Sequence, residues 1–398
     1  MTGDRSPAIV GVAESDLGVT NKTIPQLQTQ AILGALADAG VPLADVDGLF
    51  TNGVGRFPAT MMAEYLGIEP RWTDSTFAGG STFEAFAGHA AEAIRSGRCD
   101  LAVISYGSNQ RSARSRRLGG AEDEQNPAAQ FETPYGPLLP ISAYALAAAR
   151  HTHEFGTPPE ALAEVAVAAR EWALRNPKAF RHDAGPLTVD EVLGSDVLSS
   201  PLHALDCCLV TDGGGAVVMT TAERAADLAR RAVAVLGHSE AATHVNVSQM
   251  PDLTATGAYR SAERAFAMAG VKPGDVDVAQ LYDSFTITVL LTLEALGFCG
   301  PGEAGDFVAG GRIRPGGDLP LNTSGGGLSY CHPGQFGILL LVEAVRQLRG
   351  ECGGRQVDGA EVAVCHGTGG YLSHHATVVL GASLGPPGPV RSTKRAEQ

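Results

Sequence analysis

Two stretches of this chain copy one another, and that repeat constrains the fold more than any other feature. Residues 31–47 read AILGALADAGVPLADVD, and residues 261–277 read SAERAFAMAGVKPGDVD. Ala39-Gly40-Val41 returns as Ala269-Gly270-Val271, and Asp45-Val46-Asp47 returns as Asp275-Val276-Asp277, at one common offset. A second pair follows in the same order: EAIRSGRCDLAVISYG over 92–107 and EAVRQLRGECGG…EVAVCHG over 343–367. Each is a helix end, a loop and an apolar strand closing on glycine. One Ala-Gly-Val match is a common helix ending, but several in order imply a duplicated unit. PAIVGVAES and DLAVISYG read as buried strands, while QTQAILGALADAG and STFEAFAGHAAEAIRSG read as helices ending at glycine. Strand, helix, strand in alternation points to an α/β fold with mostly parallel sheets.

This plan puts a first half over 1–230 and a second over 231–398, with the tail GPPGPVRSTKRAEQ expected to fray. Residues at about 108–205 have no counterpart in the second half and form an insertion carrying the Ala-rich helix ISAYALAAARHTHEF. Excursions of this length usually shape a substrate pocket.

Composition narrows the function classes. Apolar residues make up 44% and charged ones 18%, the profile of a folded domain rather than a disordered chain. No run reaches the roughly 18 apolar residues of a membrane span, and MTGDRSPAIVGVAES is not a signal peptide. Seven Cys without a CxxC pair argue against disulfides or structural zinc and fit a reducing cytoplasm. A net charge of −14 argues against nucleic acid as a partner. Against that background RSARSRR (111–117) stands out. It reads either as a solvated loop or as an anion site, in which Arg111, Arg114, Arg116 and Arg117 would meet phosphates or a partner.

Four segments place reactive side chains beside glycines: STFAGGSTFEAF (75–86), QLYDSFT (280–286), NTSGGGLSYCHPG (322–334) and VCHGTGGYLSHH (364–375). In open α/β sheets, sites form beyond the carboxyl ends of strands, so the four are expected to converge. His374-His375 and the HTH at 151–153 lack partners at metal-ligand spacing, and no metal is expected. GTGG (367–370) and TDGGG (211–215) lack the lysine of a phosphate loop and read as tight turns.

In their order these segments resemble the thiolase superfamily, and within it the sterol-carrier-protein-type thiolases, over about residues 5–385. YDSFTITVLLTLEALGFC resembles that family's strand-end segment, NTSGGGLSYCHPG its Asn-Thr…Gly-His-Pro block, and LDCCLVTDGGGAVVM (205–219) the strands closing its first half. The resemblance implies a thiolase fold: duplicated βαβαβαββ halves forming a layered αβαβα core with an inserted loop domain. Family thiolases carry a nucleophilic Cys at the start of the first-half helix. Here Gly80 holds that position, and no Cys lies between Trp72 and Gly97. Cys331 replaces the Gly of Gly-His-Pro, and Tyr282 stands at the strand end. These departures resemble the thiolase-like lipid-transfer proteins, retro-aldolases of bacterial steroid side-chain degradation.

That branch implies cleavage of a β-hydroxyacyl-CoA, such as a steroid 17-hydroxy acyl-CoA, to propionyl-CoA and a ketone. It also implies a homodimer and a small OB-fold, zinc-ribbon companion giving a heterotetramer. Coenzyme A enters as part of the substrate, with no prosthetic group. Chemically, a retro-aldol cleavage needs a base for the hydroxyl proton, stabilisation of the thioester enolate and an acid for its α-carbon. It needs no thiol. Backbone N–H groups of Gly79, Gly80 and Ser81 at a helix start would hold the enolate. Ionising a Tyr near pH 7 costs about 4 kcal/mol, so acid duty comes more easily than base duty. Tyr282 and Tyr330 are therefore expected as the acid/base pair, with Tyr330 first in line to protonate the enolate. His332 is expected on the thioester oxygen, supported by Asp283, Ser284 and His366. Two other functions stay open: a β-ketoacyl-CoA thiolase or acyltransferase using Cys331 or Cys365, and a non-catalytic acyl-CoA or lipid carrier.

Overall fold

The computed structural model describes residues 4–115 and 125–384. The first half runs β1 (Pro7–Glu14), α1 (Ile24–Ala39), β2 (Gly48–Thr51), α2 (Pro58–Leu66), β3 (Trp72–Asp74), α3 (Thr82–Arg95) and β4 (Leu101–Ser108). An excursion follows, with α4 (Pro127–Phe131), α5 (Ile141–Phe155), α6 (Pro159–Ala173), α7 (Val189–Leu193) and the small pair β5 (Val197–Ser199) and β6 (Leu202–His203). The chain then returns through β7 (Gly213–Thr221) and α8 (Ala222–Ala226). The second half runs β8 (Val233–Ala242), α9 (Ala258–Ala269), β9 (Val278–Leu281), α10 (Thr286–Ala295), α11 (Ala304–Val308), α12 (Gly337–Arg349), β10 (Val362–Gly369) and β11 (His374–Gly381).

The nine main strands lie in the order β3-β2-β4-β7-β1-β8-β11-β10-β9. The order mirrors itself about the junction of β1 and β8, which meet antiparallel through Ala8↔Ala234 and Ile9↔Val233. Each half is mixed, not mostly parallel as expected: β2 pairs parallel with β3 and β4 and β9 with β10, while β1, β7, β8 and β11 make antiparallel pairs because the closing strands return against their neighbours. Where the first half has β3, the second has a single parallel bridge, Ala279↔Leu321. The repeat in the sequence is therefore a repeat of topology.

Layering follows from which faces are apolar. β4, β7 and β10 are buried along their full length, as strands covered on both faces must be. On one face lie α3 and α12, which touch strands of both halves and each other. Phe83 and Phe86 of α3 pack there with Leu339, Leu340 and Val345 of α12 and with Val217 and Val378 of the sheets. On the other face lie α1 and α9. α1 buries Leu27, Ala31, Ile32, Ala35 and Leu36, then stops at Gly40 in the left-handed conformation. This is the αβαβα stack the resemblance implies.

The glycine runs correct one expectation. Gly213–Gly215 and Gly367–Gly369 are not turns but strand residues of β7 and β10. A Cβ on Gly214 would overlap the Tyr106 carbonyl of β4, and one on Gly367 would overlap Glu84 of α3. Close approach, not a reversal of the chain, is what these glycines serve. The excursion packs over the second half, with α5 and α6 against α10 and α6 against residues 326–330.

Candidate active site

The site forms where β9 ends. Tyr282 N–H donates to the His366 carbonyl at 2.9 Å, so the chain still follows β10 at that point. Asn322 closes the free side of β9: its Oδ1 accepts Leu281 N–H and its Nδ2 donates to Leu281 O, both at 2.8 Å. Asn322 holds a φ of 52° to do so.

After β9 comes Asp283, whose carboxylate accepts Gly327 N–H at 2.7 Å and Leu328 N–H at 3.2 Å. It pins a five-residue π-type turn, Gly326–Tyr330. The glycines make this approach possible, because a Cβ on Gly326 would overlap Asp283 and Gly326 holds a φ of 60°. Burial pushes the Asp283 carboxyl up to about 7 despite those two amides.

His332 follows the turn. Its N–H donates to Thr211 Oγ1 at 3.0 Å, and Thr211 N–H donates to its carbonyl at 3.1 Å. The ring stacks on Phe336, with centroids 6.1 Å apart and planes at 24°. Its Nε2 stands 3.1 Å from the Tyr282 hydroxyl. That hydroxyl accepts Phe336 N–H at 3.2 Å and lies 3.4 Å from the Gly334 carbonyl. Burial drives His332 down to about 4 and Tyr282 well above its ordinary value, so both are neutral near pH 7. A phenol and an unprotonated imidazole in contact can pass one proton between them.

Gly80 lies against this pair. A Cβ there would overlap the Tyr282 ring at Cε2 and Cζ and also the Thr368 carbonyl. The Tyr282 ring thus takes the space a side chain at residue 80 would need. Gly79 (φ 64°), Gly80 and Ser81 form a 3-10 turn at the positive end of α3. Ser81 Oγ is committed to Ala78 O at 2.8 Å and His374 Nδ1 at 2.9 Å.

Three expected participants are not brought to this cluster. Tyr330 closes the π-type turn on the other side: its carbonyl accepts Phe180 N–H, and its ring is buried where the charges of Glu14, Arg346 and Glu343 reach it. It therefore stands apart from the Tyr282–His332 contact, contrary to its expected pairing with Tyr282. His366 lies within β10 on the face opposite Cys365, bonded to Thr377 Oγ1 at 2.9 Å and His375 Nδ1 at 3.3 Å. Ser284 turns along α10 to Thr288 Oγ1 at 3.2 Å. Of the arginines, Arg111 donates to Val210 O at 3.0 Å and Arg114 is exposed, while Arg116 and Arg117 lie outside the described residues. Among the described residues no group of three or more His, Cys, Asp or Glu is placed to hold a metal ion.

The thiols are poorly suited to attack. Cys331 Sγ sits 3.1 Å from Thr211 Oγ1, and burial pushes it up to about 12. Cys365 Sγ faces Leu340 O inside the core and is raised well above its ordinary value. Sequence reasoning missed the Phe336 N–H and the Gly334 carbonyl, which are backbone groups and leave no side-chain signature. It also missed Asn322 and Thr211, which stood inside the quoted NTSGGG and TDGGG segments.

A strand-end Tyr meets the histidine of a Cys-His-Pro segment, and the helix start carries glycine instead of a thiol. Residues 239–382 match the thiolase C-terminal domain-like family. The chain is 35% identical over 381 residues to the 17-hydroxy-3-oxo-4-pregnene-20-carboxyl-CoA lyase of Mycobacterium tuberculosis, covering 91% of this chain and 96% of that protein. The chain belongs to the thiolase superfamily. It is also 34% identical to an acetyl-CoA acetyltransferase of Methanothermobacter thermautotrophicus, over 93% of this chain and 99% of that one. Among solved structures it is similar to the Ltp2-ChsH2(DUF35) aldolase, with a TM-score of 0.87 and 31% identity over 96% of this chain and 99% of that one. Identity alone does not separate a lyase from an acetyltransferase within this superfamily.

Proposed function

We propose that this thiolase-superfamily chain is a carbon–carbon lyase that cleaves a β-hydroxyacyl-CoA by retro-aldol chemistry. The substrate class is a steroid side-chain 17-hydroxy acyl-CoA, and the products are propionyl-CoA and a ketone. The observation that carries the reading is the Tyr282 ring standing where a residue-80 side chain would stand, with its hydroxyl on His332 Nε2. A thiolase needs a thiol there to form its acyl-enzyme; a retro-aldolase needs proton transfer there instead.

The proton balance closes on this pair. Tyr282 takes the substrate's hydroxyl proton as it passes its own to His332 Nε2. The Cα–Cβ bond breaks, the carbonyl of the ketone forms, and the electron pair moves into the thioester enolate. The imidazolium then returns its proton through Tyr282 to the α-carbon. No free phenolate is needed, which matters because burial makes phenolate costlier than the about 4 kcal/mol it costs in water at pH 7. The enolate oxygen would lie at the positive end of α3, against the Gly79–Ser81 turn. Asp283 holds the turn that aims His332, and Tyr330 acts as packing beside the Glu14–Arg346 pair.

The assembly we infer is a homodimer, with a small OB-fold companion completing a heterotetramer. A DUF35 partner appears in the name of the similar aldolase structure, which supports this reading. No helix among the described residues is long and apolar enough to cross a membrane, in keeping with a cytoplasmic acyl-CoA enzyme.

The decisive assay is incubation with a steroid β-hydroxyacyl-CoA, with and without the companion, reading propionyl-CoA. We expect its release and its loss in Tyr282→Phe. An acyl adduct on the intact protein would instead favour a thiolase or acyltransferase. Binding without turnover in either condition would favour a carrier.

A further inference from the structure

Arg111, Arg170 and Arg181 face one cavity of about 490 Å³ between α6, residues 180–187, residues 204–210 and the turn at 326–330. That volume suits a cofactor-sized molecule. Among the described residues no Asp or Glu lines the cavity, in a chain whose net charge is −14. Leu187, Leu205 and Val210 give it an apolar wall, and Cys207, Cys208 and Ser329 complete the lining with Ala and Leu side chains.

Arg170 is the informative member. It is 94% buried, its Nη1 donates to the Gly185 carbonyl, and its Nε has no hydrogen-bond partner. Burial and the neighbouring Arg181 both depress its pKa. Glu191 is the carboxylate whose charge reaches it, but Glu191 is exposed and spends an oxygen on the Thr188 amide and hydroxyl. A buried guanidinium with an open N–H and a like-charged neighbour is costly to fold around unless something compensates it. Arg111 and Arg181 both lie over the Phe180 ring, at 4.9 and 5.9 Å, so the aromatic holds two further cations at the mouth. Arginine forks match the oxygens of phosphate.

We propose that this cavity binds a phosphate-bearing group, held by Arg170 and Arg181 with Arg111 at the rim. Two sources share that chemistry: the nucleotide end of an acyl-CoA, and a free phosphate-bearing molecule. The cavity is separated from the Tyr282–His332 pair by the turn carrying Leu328 and Ser329, and residues 180 and 181 are latched to that turn at the Tyr330 and Ser329 carbonyls. An occupant would therefore bear on the loop that Asp283 and His332 share. The binding proposal does not depend on the retro-aldol reading, because it is read without turnover.

The test is calorimetric titration with adenosine 3′,5′-bisphosphate and with inorganic phosphate at constant ionic strength. We expect saturable binding of one or both, weakened about tenfold or more in Arg181→Gln and in Arg170→Gln. Arg260→Gln, at an exposed arginine resting on Tyr259, should bind like the wild type. Should Arg170→Gln fail to fold, Arg181→Gln and Arg111→Gln at the mouth carry the comparison. Absence of binding to the wild type, or equal binding in Arg181→Gln and Arg111→Gln, overturns the site. Competition between the bisphosphate and acyl-CoA in the cleavage assay assigns the cavity to the substrate's nucleotide end. Binding without competition assigns it to a free molecule, and either result upholds the site.

Discussion

A Cβ at residue 80 would overlap the Tyr282 ring, and in the function proposed above that overlap separates two chemistries on one fold. Tyr282→Phe keeps the ring in its place and removes only the hydroxyl. We expect kcat to fall by about 10²–10⁴, the usual weight of one positioned proton-transfer group. Stability should fall by only about 1–3 kcal/mol, because Phe336 N–H loses its acceptor. Urea melts beside the kinetics would separate the two effects. The same pair sets an acid limit. His332 accepts a proton only while neutral, and its folded value is about 4 rather than the ordinary 6.5. Activity should therefore hold as pH drops through 6 and fail only near 4. Stability contributed by neutral His332 declines over that same window, since the unfolded imidazole protonates first. A pH–rate profile taken where the protein remains folded tests this, and a limb near 6.5 would assign the base elsewhere. At this scale the sequence was half legible. Tyr282 and His332 stood out because reactive side chains beside glycine are readable. Tyr330, only two positions from His332, could not be told from it, because the five-residue π-type turn decides which side each faces.

Two elements depend on groups whose partners are glycines. The turn over 326–330 is held by Asp283, and Gly326 leaves the carboxylate its space. Gly326→Ala combines a positive φ with a Cβ on that carboxylate, so we expect a loss of at least about 1–3 kcal/mol and a fall in activity as His332 shifts. Chemical denaturation measures the first and kinetics the second. In α3, Glu84 is fully buried, and neither oxygen has a hydrogen-bond partner. It occupies space that Gly337 of α12 and Gly367 of β10 leave open. Burial raises its carboxyl to about 8, above the 4.5 of an unfolded chain. The folded state thus holds a proton that the unfolded state releases, and wild-type stability should decline as pH rises from 4.5 to 8. The slope approaches on the order of 1.4 kcal/mol per pH unit in that window. Glu84→Gln removes this contribution, so its stability curve should be flatter over the same range, and a curve parallel to wild type would show that Glu84 is ionised when folded. The helices themselves were legible from apolar spacing and terminal glycines. Their functional burdens were not, since nothing in FEAFAGHAAEAIR marks Glu84 rather than Glu92 as the buried one.

The duplicated architecture was the most legible feature of all, because a repeat needs only matched order, and Ala-Gly-Val at two helix ends fixes equivalent corners. What the repeat could not reveal is where it breaks. The second half ends its sheet with one bridge at Leu321, closed by the Asn322 side chain, while the first half ends with a true strand, β3. Among the described residues that strand has no partner on one side, and an open edge invites pairing with another chain. Apolar side chains gather on the neighbouring segments: Phe57 is 65% exposed, Tyr65 56% and Phe77 67%, with Met61 one turn before Tyr65 on α2. A face of this kind beside a free edge fits a two-fold interface in which β3 meets its copy and the aromatic residues pack around it. Phe77→Glu places a charge in that face without touching the core, so we expect the wild type to sediment as a dimer and the variant to fold normally by circular dichroism yet sediment as a monomer. Gly79 and Gly80 follow Phe77 by only a few residues, so a dimer joined here would also brace the helix start that receives the enolate. The monomeric variant should then lose turnover more than it loses stability, and a Phe77→Glu chain that remains dimeric with full activity would move the interface elsewhere.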